Sequence, residues 1–235
     1  MRLYEVYSNI RKPILEGGNA IPDSTPFDHK VIPAIMNQVN KIMPIDVLPI
    51  GSGAIPTPGK VSGDLDVIVD QEAVAKAAKI DDPKLIRKWI RSLFDQAGLQ
   101  TAQSGSSVHV GIPVDGETHQ VDVMIYPQAD KIAKFHTHDI PADSSYKGKH
   151  KQIAMSKLAN SKGMMWSGFQ GLFARDPETN KKADFISNDV DEIAKHLLGD
   201  NATAKDLGSF ESILAALPPE QAAWLQSELD ADPNA

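Results

Sequence analysis

The chain contains no cysteine, which excludes a disulfide framework and any thiolate metal site and suits a cytoplasmic protein. No apolar run approaches the roughly 20 residues that cross a bilayer, so no membrane association is expected. The opening stretch MRLYEVYSNIRKP lacks the long apolar segment and small-residue cleavage site of a secretory signal. There is no internal repeat and no low-complexity tract among the 235 residues, a length that suits one large domain or a core with a small extra lobe. A surplus of positive charge is missing as well: 24 Lys and Arg face 31 Asp and Glu, for a formal net charge of −7.

That charge is unevenly placed. Lys131 to Lys182 holds ten basic residues against four acids, whereas Ala183 to Ala235 holds eleven acids against two lysines. Such asymmetry allows a basic face on an acidic protein, because local potential steers a polyanion better than net charge predicts. Differently solvated helical surfaces would give the same count.

Hydrophobic residues at 41% can bury a core. Residues 1–27 read as an extended arm. Apolar positions Val31, Ile32, Ile35, Met36, Val39 and Ile42 predict a helix over 28–43 that Pro44 ends. IDVLPI reads as a short strand, the stretch from Gly51 to Gly63 as a loop, and DLDVIV as a strand. Helices are predicted at 71–79 and 83–97. SVHVGIPV and THQVDVMIY flank Asp115-Gly116, a strong hairpin signal. Beyond about 147 the pattern is helical, with a β-like stretch at 164–173 and helices near 188–198 and 209–229. The expected fold is α+β, divided into an arm and helix (1–45), a mixed-sheet catalytic core (46–135) and a mainly helical C-terminal lobe (136–235).

The chemistry concentrates in Gly51-Ser52, eleven intervening residues, then Asp64-Leu65-Asp66-Val67. Strand residues i and i+2 share a face, so Asp64 and Asp66 project together while Leu65 and Val67 enter the core. Two adjacent carboxylates repel unless a cation lies between them, and Mg²⁺ favours hard oxygen ligands in company with phosphates. Asp122 supplies a third carboxylate if its strand lies beside that of Asp64. Gly51 permits close backbone approach, Ser52 offers a hydroxyl and an amide, and Lys60 can offset triphosphate charge. The loop is not a P-loop, because its Gly-Lys is followed by neither Ser nor Thr.

A strand ending in Gly-Ser, a turn of about a dozen residues, Asp-apolar-Asp-apolar and a later strand-borne Asp together resemble the DNA polymerase beta-like nucleotidyltransferase superfamily. SGDLDVIV and VDVMIYP are closest in wording to the family X DNA polymerases. The similarity extends in weaker form to Tyr146–Ala154, Lys162–Trp166 and Gly171–Phe173, and LEGGN resembles phage-encoded proteins, for which the location would be the host cytoplasm. The resemblance implies a polymerase-beta-like palm and transfer of a nucleotide from an NTP or dNTP to an acceptor hydroxyl. It makes Asp64, Asp66 and Asp122 the ligands of two Mg²⁺ ions (Mn²⁺ substituting), with Asp122 also activating the acceptor. Gly51 and Ser52 become the phosphate-binding pair; in such a transferase Lys60 would offset triphosphate charge, and Tyr146, Lys147 and Lys151 are candidate contacts to triphosphate or acceptor phosphates. The implied acceptor is a DNA or RNA 3′ end; tRNA, protein or small-molecule acceptors remain alternatives, as does a catalytically silent binding module. The chain departs from family X in having Gly53, Ala54 and Ile55 where arginines usually follow Gly-Ser, and in having no lyase-type domain before the palm.

Three further readings are made on histidines and lysines. Phe135-His136-Thr137-His138-Asp139 suggests zinc by spacing but lacks the remaining ligands of a tetrahedral set, so a surface loop or nucleic-acid contact is expected. His119 is expected to pack on the face opposite Asp122, and His109 lies on a strand from which it can approach the site. Lys157 is expected to be simply solvated, and Trp166, Phe169 and Phe173 to be core.

Overall fold

The run Asp64–Asp70 alternates charged and aliphatic residues and then turns wholly apolar, which suits a strand covered on both faces at its far end. It forms β4, an interior strand of a five-stranded sheet ordered β2-β4-β7-β6-β5, with β2 at Val47–Pro49, β5 at Thr101–Ser104, β6 at Ser107–Val114 and β7 at Glu117–Tyr126. β4 and β7 run parallel; the remaining neighbours are antiparallel. The β6–β7 hairpin turns on Asp115 and Gly116, both at positive φ (52° and 86°), as the paired-positive-φ hairpin turn requires. The computed structural model describes residues 20–105, 107–136 and 144–233. The LEGGN segment and His138 lie outside the described residues.

One face of the sheet carries Leu65, Val67, Val69, Val121 and Val123, packed with Ile35 and Val39 of α1 (Ile32–Ile42) and with Ile86, Ile90 and Phe94 of α3 (Pro83–Gln96). Burying each such side chain stabilises the fold by about 1.5–3 kcal/mol before entropy is subtracted. Helix α2 (Gln71–Ala78) connects β4 to α3. The opposite face carries Asp64, Asp66, Ile68 and Asp70. Here Ile68 and Ile50 pack with Ala129 and Ile132 of α4 (Ala129–His136), so the sheet is covered downstream of the aspartates. Asp70 ends β4 by capping two helices: Oδ1 accepts from the amides of Glu72 and Ala73 at 3.0 Å each, and Oδ2 accepts from Ala129 at 3.2 Å.

A second core gathers Met155 and Leu158 of α5 (Gly148–Ser161), Trp166, Leu172, Ile193 and Phe210. The C-terminal part is less purely helical than expected. A three-stranded antiparallel sheet of β8 (Met164–Ser167), β9 (Gly171–Arg175) and β10 (Lys182–Ser187) packs beside α5. β10 escaped the sequence reading because it is an exposed edge strand carrying Lys182 and Asp184, charges that protect an edge and hide its alternation. After α6 (Val190–Leu198), the single helix expected over 209–229 is two, α7 (Phe210–Ala216) and α8 (Pro219–Asp230). Pro218 and Pro219 separate them by removing amide donors and excluding helical geometry from the residue before. α4 was not expected at all.

Candidate active site

The pairing of β4 with β7 sets the geometry. In parallel register Asp64 is opposite Gln120 and Asp66 is opposite Asp122. Register partners point to one face on strands about 4.8 Å apart, so the three carboxylates expected to converge share one patch of sheet. Burial, and then the charges of Asp64 and Asp122 beside it, push the Asp66 carboxyl up to about 7.

The Gly51 turn covers this patch. The Ile50 amide donates to Asp66 O at 3.0 Å, and a side chain added at Gly51 would start 3.5 Å from Asp66 Oδ2. Gly51 has φ +62°, a conformation glycine adopts without strain. Gly53 is pressed against the sheet, where a Cβ would lie 2.3 Å from Leu65 Cδ1. Any side chain at that position, arginine included, requires Leu65 to shift. Ile55, by contrast, is 47% exposed.

His29, fully buried, anchors the rest of the loop. Its Nδ1 accepts from the Thr57 amide at 3.2 Å, which leaves the ring proton on Nε2 to donate to Ser62 Oγ at 2.8 Å. Ser62 Oγ in turn meets Ser52 Oγ at 3.2 Å. Burial, and then the charge of Lys60, hold His29 below its usual range, consistent with a neutral ring. Lys60 is exposed, and its carbonyl accepts the His29 amide at 2.9 Å. A short strand pair, β1 (Phe27–Asp28) with β3 (Val61–Ser62), closes the arrangement.

His136 is no surface loop. It ends α4, stacks on Phe169 at 4.5 Å, and its Nε2–H donates to Gly168 O at 2.8 Å. Burial drives it to about 4, against the Gly168 bond. Its carbonyl accepts the Gly51 amide at 2.9 Å, so that amide is already engaged. His119 packs as expected, edge-on to Phe27 at 5.2 Å.

The expected nucleotide contacts on α5 are placed differently from one another. Lys147 is the exposed residue before α5. Lys151 is buried, only 3% exposed, its Nζ donating to Phe135 O at 3.0 Å, and burial lowers it to about 8. The Tyr146 hydroxyl donates to Gln226 Oε1 at 3.1 Å, and its ring packs on Phe210. Lys157, expected to be simply solvated, instead pairs with Glu228 (3.1 Å) and Asp232 (3.5 Å). Trp166 is core; Phe173 is only partly buried beneath Lys182. A concavity of about 500 Å³, lined by Gln152, Ser156, Asn160 and Gly168 among others, lies beside His136 and not over the aspartates.

His109 is the residue whose role sequence spacing left open: Nδ1 lies 2.7 Å from Asp122 Oδ1 and Nε2 lies 2.7 Å from Ser104 Oγ. Its in-register position opposite Asp122 on the hairpin was readable once the Asp-Gly turn fixed the pairing. Among the described residues no three His, Asp or Glu side chains are grouped as a ready metal cage; Asp122 Oδ1 is turned to His109 and Gln120. The donor set still fits a hard divalent cation: it is all oxygen, and the cost of ionising Asp66 beside two other carboxylates is the cost a cation removes.

No protein-family profile and no curated protein matches the chain. Among solved structures it is similar to a cytoplasmic RNA terminal U-transferase at 16% identity and a TM-score of 0.32, over 61% of this chain and 45% of that one. The chain thus spans less than half the length of that protein.

Proposed function

We propose that the chain is a divalent-metal-dependent nucleotidyltransferase of polymerase-beta-like type. An acceptor hydroxyl oxygen forms a bond to the α-phosphorus of an NTP or dNTP, the bond to the bridging oxygen breaks, and pyrophosphate leaves. One observation carries this reading: Asp66 stands in register with Asp122, two residues from Asp64, beneath the turn at Gly51-Ser52.

Asp64, Asp66 and Asp122 would hold Mg²⁺, which when bound supplies charge neutralisation at the phosphates and acidifies the acceptor hydroxyl. The residues themselves position and exclude. Ser52 Oγ, tied through Ser62 to buried His29, presents a fixed hydroxyl to phosphate oxygen. Lys60 and Lys147, both exposed, are available to triphosphate charge. Leu65 and Val67 hold the carboxylate strand rigid from behind, and fixed charges cost nothing to reorganise during reaction. Acceptor strands of nucleic acid are favoured by the exposed Lys131, Lys134, Lys162, Lys181 and Lys182, each phosphate contact adding salt-dependent affinity.

The test is incubation with labelled NTPs and dNTPs, Mg²⁺ or Mn²⁺, and DNA, RNA or protein acceptors. Label transferred to a nucleic-acid 3′ end with pyrophosphate release is expected. Metal-dependent nucleotide binding without turnover on any acceptor would overturn the reading.

A further inference from the structure

Asp122 is held from two sides by groups whose own orientation is fixed. Gln120 Nε2 donates to Asp122 Oδ1 at 2.8 Å. The Gln120 amide cannot flip, because its Oε1 accepts the backbone amides of Ala20 (2.9 Å) and Ile21 (3.0 Å) from the N-terminal stretch. Those two donors demand an oxygen, so the nitrogen must face Asp122. On the other side a carboxylate can only accept, so His109 Nδ1–H donates to Oδ1, and Nε2 is held by Ser104 Oγ at 2.7 Å. Both donors land on the same oxygen. These two donors saturate Oδ1, and among the described residues no hydrogen bond to Oδ2 is made.

The N-terminal stretch is seated for this task. Ile21 is 2% exposed. A Cβ at Gly111 would approach Ile21 Cγ2 to 3.0 Å and Thr118 Cγ2 to 2.9 Å. Glycine at 111, opposite Gln120 in the hairpin, therefore makes the room that lets the stretch reach the amide. Thr25 continues the docking, its amide donating to Thr118 O at 2.8 Å.

We infer that His109 and Gln120, the latter set by the main chain of Ala20–Ile21, are positioning residues that fix Asp122 so that only Oδ2 is presented to a divalent cation. The inference rests on the proposed metal-binding role of Asp122. Outer groups that orient a ligand typically govern 10–100-fold in metal affinity.

The test measures Mn²⁺ affinity of the full chain by electron paramagnetic resonance without nucleotide, alongside thermal stability and the split between kcat and KM. His109→Asn keeps a donor near the Nδ1 position, and His109→Leu removes it. Expected are Mn²⁺ binding weakened about 10-fold or more by His109→Leu, near-wild-type binding for His109→Asn, and loss in kcat without a matching rise in nucleotide KM. Gln120→Met, of similar length and without a donor, reads the other side and serves alone if His109→Leu does not fold. Unchanged Mn²⁺ affinity in folded His109→Leu and Gln120→Met, while Asp122→Asn loses it, overturns the clamp and leaves the site reading intact. Unchanged affinity in Asp122→Asn overturns the site reading itself. Equal loss in His109→Asn and His109→Leu also overturns the clamp, since any disturbance would then suffice.

Discussion

Asp66 and Asp122 are Cα partners across the parallel pairing of β4 and β7, although 55 residues of helix, hairpin and turn separate them in the chain. Pairing that distant fixes two like charges side by side, and stability and activity then make opposite demands on one pair of residues.

The activity demand is direct. Asp66→Asn and Asp122→Asn are each expected to lower Mg²⁺-dependent pyrophosphate release on the order of 100-fold or more, while circular dichroism shows an intact fold. Turnover at the wild-type rate in both variants would end the assignment.

The stability demand has the other sign. The folded carboxyl of Asp66 is pushed up to about 7 from 3.8. The native state then keeps a proton that the unfolded chain releases, and stability from this group, complete below pH 3.8, is lost as pH rises through 7. Without metal, Asp66→Asn should therefore be more stable than wild type at pH 8 by about 1 kcal/mol or more, roughly 2–4 °C in Tm, with no such gain at pH 4. Added Mg²⁺ should raise the wild-type Tm more at pH 8 than at pH 5 and leave Asp66→Asn nearly unmoved. Equal shifts at both pH values would show that no cation relieves this repulsion.

His136 is lowered to about 4 from 6.5, chiefly by burial. The unfolded chain binds the proton first, so stability is lost as pH falls from 6.5 toward 4. His136→Gln, whose amide can still donate to Gly168 O, should flatten that part of the Tm–pH curve. A curve as steep as wild type would place the acid sensitivity elsewhere.

Gly171 sits at φ +99°, and a Cβ there would lie 2.3 Å from the main-chain oxygen of Ser187. Main chain cannot swing aside as a side chain does. Gly171→Ala should cost about 2 kcal/mol or more by prying β9 from β10, seen as a lower Tm in a thermal melt. A wild-type Tm would mean that the strands separate freely.

The legible parts of the fold were those encoded by short-range rules. DLDVIV alternates, so Asp64 and Asp66 had to share a face; Asp115-Gly116 fixed the hairpin; Pro83 opened α3. That the pair would meet Asp122 followed only if β4 and β7 were neighbours, a long-range fact that the strands' composition permits but does not state. α4 was missed because its eight residues follow a turn at Pro127-Gln128 and offer barely two helical turns of pattern. Lys151 looked like a surface cation because helical spacing carries no sign of which side faces the second core. The role of His109 needed a partner's rotamer, which no periodicity contains.

The bond from the Gly51 amide to the His136 carbonyl joins the covering turn to the end of α4 through main chain alone. No side chain takes part, so ordinary replacement at 136 leaves both bonding groups in place, and at 51 only proline deletes the donor. The seam is thus insulated from side-chain changes at 136, whereas at 51 the left-handed backbone (φ +62°) still favours glycine. Relatives could diverge widely in the residues around it and still hold the turn at the same height above the aspartates.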